Sequence, residues 1–212
     1  MDDDPFTCLD DPPDPLDPNP DPIPADCDPK IIAFFDAVIT DAEQDPAESY
    51  DSSDHGSHVA GIAAGTGGGQ TDPSTGLRYI GAAPGAFLIN ILSCCDGDIE
   101  DIMQGAQWAI DNKDRQWDGG HGIDILTSSL GEQQFEIHVD NDGNSAWSRQ
   151  MDMVVEAGII TTLSAGNEFG GATLAGCNTI DSPGDARLPV TVASLDKDLS
   201  LAIYSSRGYT SD

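Results

Sequence analysis

The sequence predicts an α/β fold, a three-layer, mostly parallel sheet with helices on both faces. Two observations carry that expectation. Apolar runs of strand length alternate with longer segments of helical spacing, the order that builds a parallel sheet from strand–helix–strand crossovers. The later strands also run into small-residue turns, Ser129-Leu130-Gly131 and Ala165-Gly166-Asn167. Polar groups would then collect at the carboxyl ends of strands, where open parallel sheets bind their ligands.

Taken in order, residues 1–29 form an Asp-Pro tract, as in Asp11-Pro12-Pro13-Asp14-Pro15. Proline removes backbone donors and neighbouring carboxylates repel, so this segment is expected to be extended or disordered. The folded domain is expected over 30–212. Ile31-Ile32-Ala33-Phe34-Phe35 reads as a buried strand. An acidic loop is expected from Asp41 to Asp54, then a helix from His55 to Gly65 with Val59, Ile62 and Ala63 on one side. Phe87 to Leu92 reads as a second strand. Asp98 to Asn112 reads as an amphipathic helix with Ile99, Ile102, Met103, Ala106 and Ile110 on its core stripe. Ile123 to Ser129 is a third strand. Ala146 to Ala157 is a second long helix, with Gly158 placed to end it. Ile159 to Ser164 and Val190 to Ser194 complete the strands.

Composition excludes some partners. A net charge of −30, from 38 acidic and 8 basic residues, repels nucleic-acid phosphates and anionic membranes. Three readings of the acidity compete: a disordered acidic chain, a calcium-binding surface, or a surface kept hydrated in high salt. The apolar, Gly-punctuated runs argue against the first. No D-x-[DN]-x-[DN]-G loop is present, although structural calcium stays open. Only three lysines (Lys30, Lys113 and Lys197) fit the high-salt reading. The five cysteines, Cys8, Cys27, Cys94, Cys95 and Cys177, form no C-x-x-C pair, and adjacent Cys94 and Cys95 are poorly placed to bridge each other. No apolar run approaches a membrane span, and Met1-Asp2-Asp3-Asp4 lacks the basic start of a secretory leader.

His55 is the leading candidate for chemistry. Its neighbours Gly56, Ser57, Ala60 and Gly61 are small, and no Asp, Glu, Lys or Arg occurs between His55 and Gly69. That pattern suggests a deeply packed helix holding an imidazole rigidly at its first turn, as a general base requires. A metal reading of His55 and His58 is weaker, because H-x-x-H is not the H-E-x-x-H spacing of zinc peptidases.

The run His55-Gly56-Ser57-His58-Val59-Ala60-Gly61 resembles the active-site histidine signature of the subtilisin-like serine protease family, H-G-T-H-V-A-G. Four more blocks resemble family segments in the same order. They are Gly81-Ala82-Ala83-Pro84, Ser128-Ser129-Leu130-Gly131, Ser164-Ala165-Gly166-Asn167, and Ser182-Pro183-Gly184 through Val192 to Tyr204-Ser205-Ser206-Arg207-Gly208. Together they cover roughly residues 30–212. The resemblance implies a subtilisin-like fold and peptide hydrolysis by Ser/His/Asp acyl-enzyme chemistry. It implies that His55 is the general base and that Asn167 donates its amide to the oxyanion. Ser129, Leu130 and Gly131 would pair with an extended polypeptide substrate. It also implies a secreted monomer that needs no cofactor for its chemistry.

Two family features are missing from these 212 residues. No G-T-S-x-A/P block supplies a nucleophile, and Ser211 in Thr210-Ser211-Asp212 has no small-residue helix after it. No Asp-Ser-Gly or Asp-Thr-Gly marks the triad aspartate. A faint match of Leu16-Asp17-Pro18 would put that aspartate near Asp14. Asp36 follows a good strand but resembles a noncatalytic family segment, and Asp54 adjoins His55. The triad aspartate is therefore unassigned. The chain reads as a catalytic domain truncated at its C-terminus and inactive as it stands. The alternatives are an inactive pseudoprotease that binds extended peptides, or an acidic cation-binding protein.

Overall fold

A computed structural model of the chain describes residues 30–51, 53–67, 71–94, 98–117, 122–131, 142–169 and 179–208. The Asp-Pro tract, Asp14, Ser211 and every cysteine except Cys94 lie outside the described residues. The chain divides into two compact units, Met1–Gly97 and Asp98–Asp212.

In the first unit, β1 (Ile31–Asp36) lies between β2 (Ala42–Gln44) and β3 (Leu88–Leu92). It pairs antiparallel with β2 and parallel with β3. The run Ile31 to Phe35 forms a strand because its β-branched and aromatic side chains fit a pleated core, and Ala33, Phe34 and Phe35 are buried. The Phe34 ring meets Tyr50 edge-on at 5.7 Å. Burying such a ring is worth about 1.5–3 kcal/mol. The expected acidic loop contains β2 and a short 3-10 helix, Pro46–Glu48. Asp45 starts that helix by accepting from the Ala47 amide, with proline at the first turn.

α1 (His55–Ala64) falls where the spacing predicts it, but its burial differs. Ala64 is its one buried residue, and Ile62 is 62% exposed. The small side chains serve a one-sided backbone contact. Gly81, Ala82 and Ala83 donate to the carbonyls of Gly65, Ile62 and Ala63 at 2.8–2.9 Å. Those donors satisfy carbonyls that a helix C-terminus leaves unpaired. A Cβ on Gly81 would meet the Ala64 and Gly65 amides at 2.8 and 2.5 Å, so the approach requires glycine. Lys30 Nζ donates to the Pro84 and Ala86 carbonyls, tying the same segment to the start of β1.

In the second unit, β4 (Ile125–Ser128), β5 (Ile160–Ser164) and β6 (Val190–Val192) form a wholly parallel sheet in that order. α2 (Ile99–Asp111) packs on α3 (Ala146–Glu156), and α3 packs on β5. Trp147, Met151 and Val154 of α3 are buried, as are Thr161 and Leu163 of β5. The alternate residues Ile125, Ile160, Val190 and Val192 are 53–61% exposed, as the two-residue period of a sheet requires of its other face. Asp98 and Ser145 cap α2 and α3 through side-chain oxygens. Gly158 follows α3 at φ 95°, the left-handed ending expected of it. The core of α2 is Gly105, Ala106 and Ala109. Its larger residues Ile102, Met103 and Ile110 are only half-buried, because close helix packing selects the small positions. No helix among the described residues is long and apolar enough to cross a membrane.

Candidate active site

His55 is the first residue of α1 and is exposed. Asp54 precedes it in the left-handed conformation, φ 62°, and its side chain makes no cap. That role passes to Asp51. One Asp51 oxygen accepts from the Ser57 amide at 2.6 Å, and the other accepts from the Ser53 amide at 3.0 Å and its hydroxyl at 3.2 Å. These bonds, the Ser57 amide foremost, hold the Asp51 carboxyl down at about 2, because each favours the charged form. Asp51 lies inside the segment expected to be an acidic loop, and sequence reasoning passed over it. No sequence signal marked it, because Asp54 stands at the position where a capping side chain is expected.

Of the aspartates weighed for the triad, Asp36 has a clear structural role. It is 3% exposed at the end of β1. Its Oδ1 accepts from the Val38 and Ile39 amides at 3.0 and 2.9 Å, and its Oδ2 accepts from the Tyr50 hydroxyl at 3.3 Å. Three donors make it the lock of the turn that follows β1. Asp54 is exposed, and Asp14 lies outside the described residues.

Asn167 lies in the second unit, three residues past β5, and is exposed. Its backbone is held from beneath. Gly166 has φ 100°, and a Cβ there would strike Glu168 Oε2 and come within 2.9 Å of Ser206 Oγ. Ser206 is buried. Its amide donates to the Gly166 carbonyl at 3.0 Å, and its Oγ accepts from the Glu168 amide at 3.0 Å. The same hydroxyl donates to Glu168 Oε2 at 2.7 Å. The Arg207 guanidinium stacks on Phe169, 3.8 Å from the ring centre. Asn167 thus stands on a short loop whose neighbours on both sides are pinned by residues 206–207. The sequence marked Ser205-Ser206 only as a matching block and did not reveal this anchoring role.

Ser129 and Gly131 are exposed, with Leu130 half-buried between them, just past β4. The parallel register sets Ser128 opposite Leu163, so 129–131 and 164–167 leave the sheet side by side. Ser164 Oγ donates to the Leu130 carbonyl at 3.3 Å. A third segment joins them. Gly184 lies so close that a Cβ would meet the Ser164 carbonyl at 2.6 Å, and a Cβ on Gly131 would meet the Ser182 carbonyl at 3.7 Å. Segment 182–185 is fixed by a buried web. Ser182 Oγ lies 2.6 Å from Ser145 Oγ and 3.1 Å from Ser148 Oγ. The Ser148 hydroxyl donates to Asp185, whose other oxygen accepts from the Gly143 amide at 3.0 Å. Within the second unit, then, the three matching blocks form one polar rim at the carboxyl ends of β4 and β5. Leu130 is held there by Ser164, three residues before Asn167. His55 belongs to the other unit.

Among the described residues, no group of three or more His, Cys, Asp or Glu side chains could hold a metal ion. Several carboxylates order their own neighbours. Asp72 and Asp198, like Asp51, each accept from the amide and hydroxyl of a serine two residues on, and these bonds lower both carboxyls below the ordinary range.

The sequence profile of the subtilase peptidase family matches residues 24–212. The chain is 32% identical over 199 residues to serine protease AprX of Bacillus subtilis (strain 168), covering 87% of this chain and 40% of that protein. It is 30% identical over 164 residues to subtilisin DY of Bacillus licheniformis, covering 76% of this chain and 51% of that one. Among solved structures, sphericase aligns with a TM-score of 0.57 at 28% identity, over 84% of this chain and 52% of that chain. The S41 psychrophilic protease aligns with a TM-score of 0.62, over 85% of this chain and 53% of that chain. Its 23% identity is a likeness of fold. The chain thus spans about half, or less, of the length of these relatives.

Proposed function

This chain belongs to the subtilase family, and we propose that it is the His- and Asn-bearing part of a serine endopeptidase that cleaves extended polypeptides. The observation that carries the reading is the rim of the second unit, where Asn167 is exposed on a loop pinned by Gly166 and Ser206 beside Ser129–Gly131. An oxyanion donor must be fixed before charge develops, and such a loop provides that.

In this reading His55 takes the proton from a serine hydroxyl as its oxygen attacks the scissile carbonyl. The negative charge moves to the carbonyl oxygen, where the Asn167 amide donates a hydrogen bond. His55 then returns the proton to the leaving amine, and water repeats the cycle on the acyl-enzyme. The backbone of Ser129–Gly131 pairs with the substrate strand. The nucleophile comes from sequence outside these 212 residues, since no G-T-S-x-A/P block occurs within them. The triad aspartate is not assigned. The chemistry needs no cofactor, and the enzyme works as a secreted monomer on protein substrates.

A serine-directed fluorophosphonate probe tests this. The complete reading frame that contains these residues should be labelled at one serine outside them, and the 212-residue chain should stay unlabelled. Labelling of the chain itself at Ser211 would overturn the assignment. A complete reading frame that takes no label would leave a peptide-binding pseudoprotease in its place.

A further inference from the structure

We propose that Glu168 is a positioning residue for Asn167. Its carboxylate folds back over Gly166 and locks the Ser206 hydroxyl, which holds the backbone beside Asn167. The inference rests on the reading of Asn167 as the oxyanion donor, but the lock itself can be detected without it.

Three observations converge on the carboxylate. First, segment 166–169 lies against segment 204–207. The Ser206 amide donates to the Gly166 carbonyl at 3.0 Å, and the Phe169 amide donates to the Tyr204 carbonyl at 3.2 Å. Backbone bonds thus span Asn167 from both sides. Second, the Ser206 hydroxyl serves Glu168 twice. Its oxygen accepts from the Glu168 amide at 3.0 Å, and its proton goes to Glu168 Oε2 at 2.7 Å. A serine hydroxyl has one proton and rotates to suit its partners. A carboxylate only accepts, so it draws that proton to its own side and leaves the oxygen lone pairs for the amide. Ser206 is 2% exposed, so water offers neither bond a substitute. The third observation is steric. Gly166 has φ 100°, and a Cβ there would overlap Glu168 Oε2, lie 3.2 Å from its Cδ and 2.9 Å from Ser206 Oγ. Carboxylate and hydroxyl together fill the space that glycine opens, on the residue directly before Asn167.

The consequence is geometric. The Asn167 side chain stands at the exposed surface, so its aim follows from its backbone. That backbone is held at 166 by the Ser206 amide and at 168 by the Ser206 hydroxyl, whose rotation Glu168 stops. Without the carboxylate the hydroxyl turns, its bond to the 168 amide is made only part of the time, and the Asn167 amide loses its fixed direction. A misplacement of about 1 Å at a reacting centre is enough to cost about 10²-fold in rate.

Two measurements test the proposal. In the isotope-labelled 212-residue chain followed by NMR, Glu168→Ala should speed exchange of the residue-168 amide about tenfold, the size of one charge-assisted hydrogen bond. It should also split or broaden the Asn167 side-chain amide signals, while the Leu163 amide of β5 keeps its protection. In the complete reading frame, the same variant should lower kcat on fluorogenic peptides about 10–10²-fold with KM little changed. Glu168→Gln, which keeps an acceptor oxygen, should restore most of the rate and a single set of Asn167 signals. Glu168→Met, of similar length without an acceptor, stands in should Glu168→Ala fail to fold. Glu156→Ala removes an exposed carboxylate at the end of α3 and should change neither readout. In an Asn167→Leu background, Glu168→Ala should cause no further loss of kcat, because its effect runs through Asn167. Unaltered Asn167 signals in Glu168→Ala would overturn the lock. A loss confined to KM, or one that follows the charge of the substrate side chain, would make Glu168 a substrate contact and sink the positioning role. So would a full further loss in the Asn167→Leu background. If Asn167→Leu alone leaves kcat unaltered, the oxyanion reading fails, while the exchange rate and the Asn167 signals still decide the lock.

Discussion

His55 and Asn167 are both exposed, yet the chain holds them in different ways. His55 opens a helix whose single buried residue is Ala64, nine positions away, and a carboxylate from the preceding loop secures its first turn. Asn167 follows a strand with a buried interior, and its flanking residues are bound by the buried Ser206. One segment is held by hydrogen bonds at the two ends of a largely exposed helix, the other by hydrogen bonds from a buried serine beside it. An oxyanion donor must stay where charge will appear, whereas a base that shuttles a proton needs chiefly a fixed direction.

The comparison can be broken most sharply at Asn167. In the complete reading frame, Asn167→Leu should lower kcat about 10²–10³-fold with little change in KM, the size of the loss established for subtilisin itself. A drop confined to KM would remove Asn167 from the oxyanion role. Gly166→Ala is next. A Cβ at φ 100° would strike Glu168, so the variant should lose about 1–3 kcal/mol of stability in urea unfolding. Unaltered stability would mean the loop is not held from below. Ser206→Ala should cost about 1–2 kcal/mol by leaving the Glu168 amide without its acceptor. The smallest effect concerns acid. The Asp51 carboxyl falls from 3.8 to about 2 on folding, so the unfolded chain binds the proton more tightly. Its stabilisation is complete above the unfolded value and is lost as the pH falls from about 4 to about 2. Exchange of the Ser57 amide should quicken through that window, and a transition above pH 5 would point to another group.

Element type was legible wherever periodicity ran long. Among the described residues, α1, α2 and α3 and five of the six strands fall where apolar spacing places them. β2 was hidden because Ala42-Glu43-Gln44 has no apolar alternation, and it is a strand through pairing with Phe34–Asp36. Burial was less legible. The uncharged run after His55 suggested a deeply packed helix, but small residues admit a backbone on one side as readily as they fill a core. Gly81–Ala83 takes that side. The matching blocks at Ser129–Gly131, Ala165–Asn167 and Ser182–Gly184 were legible as motifs. That they share one rim depends on strand register and on the buried Ser145, Ser148 and Asp185 web, which no local pattern encodes. Asp51 escaped notice for a related reason. One aspartate in so acidic a chain carries no signal until its partner amide is known.

The most direct measurement is the rate of fluorogenic peptide hydrolysis by the complete reading frame with and without His55. His55→Ala should lower kcat by about 10⁶-fold, the loss known for subtilisin itself, in protein whose unfolding is unchanged. Hydrolysis that persists at an undiminished rate in folded His55→Ala would contradict the assignment of His55 as the general base.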